Sequence, residues 1–136
     1  MDDTIKRTYI RARLAKAQDD LVTARDDLVH GHLRGAVNRA YYTIFHIASA
    51  ALLWLDIERA KHSGAQAAFN EFLVKPGKIE PEYGEIDTTA RKTREEQDYD
   101  LRAVPLAAHD AEQIVHDAER FVARLERYLR EVGAVE

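Results

Sequence analysis

A chain of 136 residues with 46% apolar and 32% charged positions can bury one modest core and is short for two. Its formal net charge of −4 argues against a surface dedicated to wrapping duplex nucleic acid, though not against a local basic cleft. The lack of cysteine excludes disulfides, thiolate metal sites and thiol nucleophiles. The longest apolar run, Ile47 to Leu55, falls far short of the roughly 20 residues of a membrane span, and no segment has the form of a signal-peptide core. A single domain over residues 1–136, cytoplasmic and free of membrane contact, is the expectation.

Apolar residues recur first at Ile10, Leu14, Ala17, Leu21, Ala24 and Leu28, in steps of four and three that trace one face of a long helix. Gly31 and Gly35 punctuate the chain. A second helix sets Val37, Tyr41, Ile44, Phe45, Ala48, Ala51, Leu52 and Leu55 on one broad face, and its scarcity of charge marks it as the central helix. Ser63 followed by Gln66 reads as a capping box opening a short helix with Ala67, Ala68, Phe69, Phe72 and Leu73. Pro76, Gly77 and Pro81 predict a connecting loop. Tyr83 to Tyr99 is compatible with a helix but poor in apolar residues and dense in charge. The last helix carries Ala111, Ile114, Ala118, Phe121, Leu125, Tyr128 and Val132, with Pro105 suited to its first turn. No strand alternation or internal repeat is present. The expected fold is all-α: an up-and-down bundle of about five helices, three long and two shorter.

Three motifs then stand in order. The second helix contains Asn38-Arg39-Ala40-Tyr41-Tyr42-Thr43-Ile44-Phe45-His46 and closes on Ala50-Ala51-Leu52-Leu53. Lys61-His62-Ser63-Gly64 follows, and later Arg91-Lys92-Thr93-Arg94-Glu95-Glu96-Gln97-Asp98-Tyr99. In order, spacing and helical setting this set resembles the HEPN domain family, over roughly Ile5 to Val132. The resemblance implies a five-helix bundle, usually a homodimer, in a toxin–antitoxin pair or beside a minimal nucleotidyltransferase. Many members are metal-independent RNases signed by an arginine, four to six residues, then a histidine; others are non-catalytic partners or nucleotide-binding modules.

Literal matches to that signature run from Arg25 to His30 and His32, from Arg39 to His46 and from Arg102 to His109, about as many as chance supplies. In the family's register, Arg94 is followed after four residues by Tyr99 instead of histidine. A phenol, with an ordinary pKa of roughly 10, stays protonated at neutral pH and is a poor general base. The resemblance therefore leaves two functions open. One is a metal-independent endoribonuclease with a degenerate motif. The other is a non-catalytic bundle serving as nucleotidyltransferase partner or nucleotide-binding module.

The candidate catalytic group is Arg91, Arg94, Asp98, Tyr99 and His46, in which the arginines would hold a phosphate, Asp98 would orient one of them, and His46 would do acid–base work. Arg91, Arg94 and Asp98 share a helix face, with Asp87 and Glu95 nearby; the same pattern suits a solvated face laced with Arg94–Asp98 and Arg91–Glu95 pairs. Asn38, Arg39 and Tyr42 are candidate RNA or nucleotide contacts. Arg39, Tyr42, Thr43 and His46 share a face opposite the apolar one, where Arg39 needs an acid such as Asp98 or a wet cleft. Lys61 and His62 complete the binding group, beside a helix N-terminus whose free N–H groups attract anions; simple capping by Ser63 would explain them as well. No cofactor and no metal are expected. His109, Gln113 and His116 share one stripe with Glu112, but nothing else converges on them.

Overall fold

The computed structural model describes residues 1–99 and 105–136, the side chain of Tyr99 excepted. Five α-helices follow one another: α1 (Asp3–Val29), α2 (Leu33–Trp54), α3 (His62–Phe69), α4 (Pro81–Tyr99) and α5 (Ala108–Glu131). No strand occurs among the described residues. α1, α2 and α5 pack on one another, α4 lies against α2 and α5, and α3 bridges α2 and α4, so α2 touches every other helix. This is the all-α bundle the periodicity predicts. No described helix is long and apolar enough to cross a membrane.

Each helix can be traced to its sequence. Asp2 caps α1 by accepting from the Ile5 amide at 3.0 Å. Ile10, Ala17, Leu21 and Ala24 are buried, while Leu14 and Leu28 lie half-buried at the edge of the stripe. Gly31, with φ +75°, supplies the left-handed residue that turns the chain into α2. Buried Lys6 closes the far end of α2: its Nζ donates to the Trp54 carbonyl at 3.2 Å and pairs with Asp56 at 3.0 Å. A cation there serves the unpaired last carbonyls and the negative end of the helix dipole. The core joins α2 to α3 and α5 through Tyr41, Ile44, Ile47, Phe69, Phe121 and Leu125, all essentially inaccessible.

Four local expectations are corrected. α3 begins at His62, with Lys61 as an extended N-cap lacking a side-chain bond, so exposed Ser63 caps nothing. Gln66, the other half of the expected capping box, is used across the bundle: its Nε2 donates to Thr88 Oγ1 (2.6 Å) and its Oε1 accepts from Arg91 Nη1 (2.7 Å). Pro81 opens α4 instead of lying in the loop before it, a position where its missing N–H costs nothing. Pro105 precedes α5, whose N-cap is Ala107. Thr43 is fully buried and donates to the Arg39 carbonyl at 3.0 Å, so it does not share the polar face of α2.

Past Phe69 the helix widens into one π-helical stretch, Asn70–Val74, which keeps Phe69 and Leu73 both in the core. α4 crosses this stretch at Gly84, where a Cβ would collide with the Asn70 side chain. Further along, α4 meets the tyrosine pair of α2.

Candidate phosphate-binding site

α2 and α4 build the site between them. The Arg94 guanidinium lies over both tyrosine rings, 5.1 Å from the centroid of Tyr41 and 5.3 Å from that of Tyr42. Its Nη2 reaches the Tyr42 hydroxyl at 3.5 Å. Its Nε is 3.5 Å from Asp98 Oδ2, yet has no hydrogen-bond partner among the described residues. Asp98 also faces Arg34, at 3.6 Å. The Arg94 side chain is only 11% exposed, so a largely covered guanidinium rests mainly on π faces and long ionic contacts.

Around this arginine the charges are arranged unevenly. Arg91 donates to Gln66 at 2.7 Å and to Glu95 at 3.0 Å, so it is tied towards α3. Asp87, 5% exposed on α4, is raised to a pKa of about 7 by burial, against the pull of the Arg91 charge. Burial, with the Asp87 charge adding to it, also raises the Tyr41 phenol, which stays protonated.

His62 enters from the first turn of α3. Its ring centroid lies 4.5 Å from Phe45, 5.3 Å from Tyr41 and 5.6 Å from Tyr42. Burial first, then the charges of Arg94 and Arg91, hold its pKa below the ordinary 6.5. At neutral pH this imidazole is uncharged and keeps a lone pair beside a guanidinium.

A second polar cluster occupies the other side of Tyr42. Arg39 Nη1 donates to Asp20 Oδ1 at 3.2 Å, and its Nη2 to Asn38 Oδ1 at 3.0 Å. Its guanidinium carbon is 5.3 Å from the Tyr42 ring centre. The expected pairing of Arg39 with Asp98 is therefore replaced by Asp20, one buried position on α1. His46 Nε2 stands 3.5 Å from Asp20 Oδ2, and the His46 and Tyr42 rings stack at 5.9 Å. Burial lowers the His46 pKa, Lys16, Arg39 and Arg13 adding to the shift and Asp20 opposing it.

The fold thus unites Arg94, Tyr42, His62 and Asp98, sets Arg91 beside them, and places His46, Arg39 and Asn38 in an adjoining cluster. Lys61 is exposed at the N-cap of α3. The side chain of Tyr99 lies outside the described residues, as does Arg102 of the last literal signature match. Arg25 pairs with Glu119 at 3.3 Å on the surface, and His30 and His32 are exposed at the end of α1. Sequence reasoning missed Asp20 and the bridging role of Gln66. Asp20 did leave a signal: a carboxylate three residues after Ala17 and just before Leu21, within an apolar stripe, requires a buried partner.

Comparison with known proteins covers the stretch of chain that builds this site. A family model described as the HEPN domain matches residues 10–128. The chain belongs to the HEPN family. This HEPN chain is similar to a "UPF0332 protein" of Thermotoga maritima, 40% identical over 91 residues that make up 67% of each chain. It is also similar to a Methanocaldococcus jannaschii protein named "Putative toxin MJ0605", 38% identical over 93 residues, or 68% of this chain and 69% of that one.

Proposed function

We propose that this HEPN protein is the toxin-type member of a two-component system and binds the phosphate backbone of RNA at Arg94, cleaving it without a metal. The observation that carries the reading is a nearly buried guanidinium held mainly by two tyrosine rings, with a neutral histidine packed against the same rings. A guanidinium with unused donors is suited to phosphate oxygens and to the charge that develops on them during transfer. In this reading His62 takes the role that Tyr99 fills poorly. It accepts the proton of a ribose 2′-hydroxyl as that oxygen attacks the adjacent phosphorus. The bond to the 5′-oxygen breaks, a 2′,3′-cyclic phosphate forms, and the leaving oxygen takes a proton from water. His46, 3.5 Å from Asp20 Oδ2, belongs to the binding surface together with Arg39 and Asn38. The names of relatives support a toxin role; a second copy of the chain facing the groove, and a minimal nucleotidyltransferase as antidote, belong to the same proposal.

The test is purified protein incubated with RNA in excess chelator, alongside Arg94→Ala and His62→Gln. Cutting that both substitutions suppress, with cyclic phosphate ends, is the expected result. Intact RNA at high protein concentration would end the nuclease reading. One observation favours the rival, a non-catalytic HEPN partner: Arg94 and Arg91 already hold α4 against α2 and α3, a clamp that needs no substrate. Under that rival, the substitutions would lower stability and co-purification with a nucleotidyltransferase, and no RNA would be cut by any variant.

A further inference from the structure

Between α1, the outer face of α2 and the start of α3 lies a cleft of about 400 Å³. It holds none of the arginines of α4. Its apolar lining is Phe45, Leu52, Ile57 and Ala65, and its polar lining is Arg13, Arg59, Glu58, His46 and Ser49. That volume and mixture fit a single planar ligand with polar edges. Phe45 is shared with the phosphate site: one side of its environment is the cleft, and its ring is 4.5 Å from that of His62.

We infer that this cleft is the base-binding subsite for one nucleotide of single-stranded RNA, next to the phosphate held at Arg94; the inference rests on the RNA reading above and adds where the base goes. An aromatic wall stacks on any base, because every base has a π face. Glu58 faces the same space with a carboxylate that accepts from Arg13 at 2.7 Å and has a further oxygen to accept from an amino or imino edge. Arg13 also donates to the Ser49 carbonyl at 3.2 Å, so its guanidinium is fixed at the rim. Arg59 Nη1 is held by the Glu58 carbonyl at 2.8 Å, on an otherwise exposed side chain that can follow a neighbouring phosphate. Cations and acids alternate at the cleft edge: Arg13 is paired with Glu58 at 2.7 Å and Arg39 with Asp20 at 3.2 Å. A polymer, unlike a free nucleotide, engages the cleft and Arg94 together, which favours a strand as the occupant.

The experiment is fluorescence anisotropy with a labelled 2′-O-methyl oligonucleotide, which cannot be cleaved through its 2′-oxygen, compared with the same strand carrying abasic positions. The intact protein is expected to prefer the strand with bases by roughly tenfold, the effect of one stacked base. Ser49→Phe, which fills the cleft, should erase that preference, and Arg59→Ala should weaken the intact strand by roughly threefold. Arg94→Ala should weaken both strands alike. If Ser49→Phe keeps the preference while showing the parent's circular dichroism, or if Arg59→Ala binds as the parent does, the cleft assignment is overturned, and a loss in Arg94→Ala would leave the phosphate site standing. If Arg94→Ala changes nothing while Ser49→Phe erases the preference, the cleft holds and the Arg94 reading fails. Displacement of the strand by adenosine monophosphate at equal concentration would assign the cleft to free nucleotides and overturn the RNA assignment.

Discussion

Two largely covered arginines, Arg124 and Arg94, are satisfied in different ways. Arg124 of α5 gives its Nε and Nη2 to both carboxylate oxygens of Glu80 and to the Lys78 carbonyl, pinning the segment that leads into α4. That carboxylate is held below its usual range by the Arg124 hydrogen bond. Arg94 lies on two tyrosine rings, with one hydrogen bond at the 3.5 Å limit and an Nε that faces Asp98 at 3.5 Å without a hydrogen bond among the described residues. Arg124 retains a buried, unpaired Nη1, but its fork is filled by a carboxylate, so no anion could enter without displacing Glu80. An aromatic face stabilises a cation without using up its N–H donors. Arg124 is thus a brace closed by a bidentate carboxylate, whereas Arg94, held by π faces and one long ionic contact to Asp98, is the looser of the two and the candidate anion site.

The sharpest way to break that distinction is Arg94→Ala, expected to reduce metal-independent RNA cleavage roughly a thousandfold, in line with removal of one donor to a developing oxyanion. Arg94→Lys should fail to restore it, since a point charge does not replace the fork; recovery in a gel assay would reduce Arg94 to a source of charge. His62→Gln is expected to cost roughly a hundredfold, typical of a lost general base. Because burial and the two arginines lower the His62 pKa, the parent should show an acid limb with its midpoint below 6.5, with activity rising as pH rises through it. His62→Gln should flatten that limb; an unchanged profile would remove His62 from proton transfer.

Arg124→Ala supplies the opposite control. It should lower stability by about 2 kcal/mol, the lesser end for a broken buried pair because Glu80 is half exposed, and leave the cleavage rate of the folded fraction unaltered. Urea unfolding with a parallel RNA assay separates the two effects. The smallest expected effect belongs to Asp87, whose pKa of about 7 lies above its ordinary 3.8. The folded state therefore holds its proton more tightly than the unfolded chain, and stability falls as pH rises between those values. Asp87→Asn should stabilise the protein at pH 8, with the gain shrinking towards pH 5; a gain equal at both pH values would show that the carboxyl does not titrate in this window.

Local order was legible in the sequence because helix periodicity and turn residues act over a few positions. The stripes of α1, α2 and α5 read directly from their spacing, and the ordered motifs placed the chain in its family. Helix α4 was legible only as a helix-compatible, charge-dense stretch from Tyr83 to Tyr99, and Arg94 and His62 could be named as candidates. Which partner each polar side chain would find was not legible, since those partners are distant in sequence. Arg39 meets Asp20 across 19 positions, and Gln66 leaves a local cap for Arg91 across 25. Gly84 approaches the π-helical stretch so closely that a Cβ would meet the Asn70 side chain, a long-range contact that no local pattern announces. Backbone geometry within a helix depends on neighbours along the chain and can be read from them. The chemistry of this site depends on how three helices pack, and only the tertiary structure decided that His62 of α3 joins the tyrosine pair on which Arg94 lies.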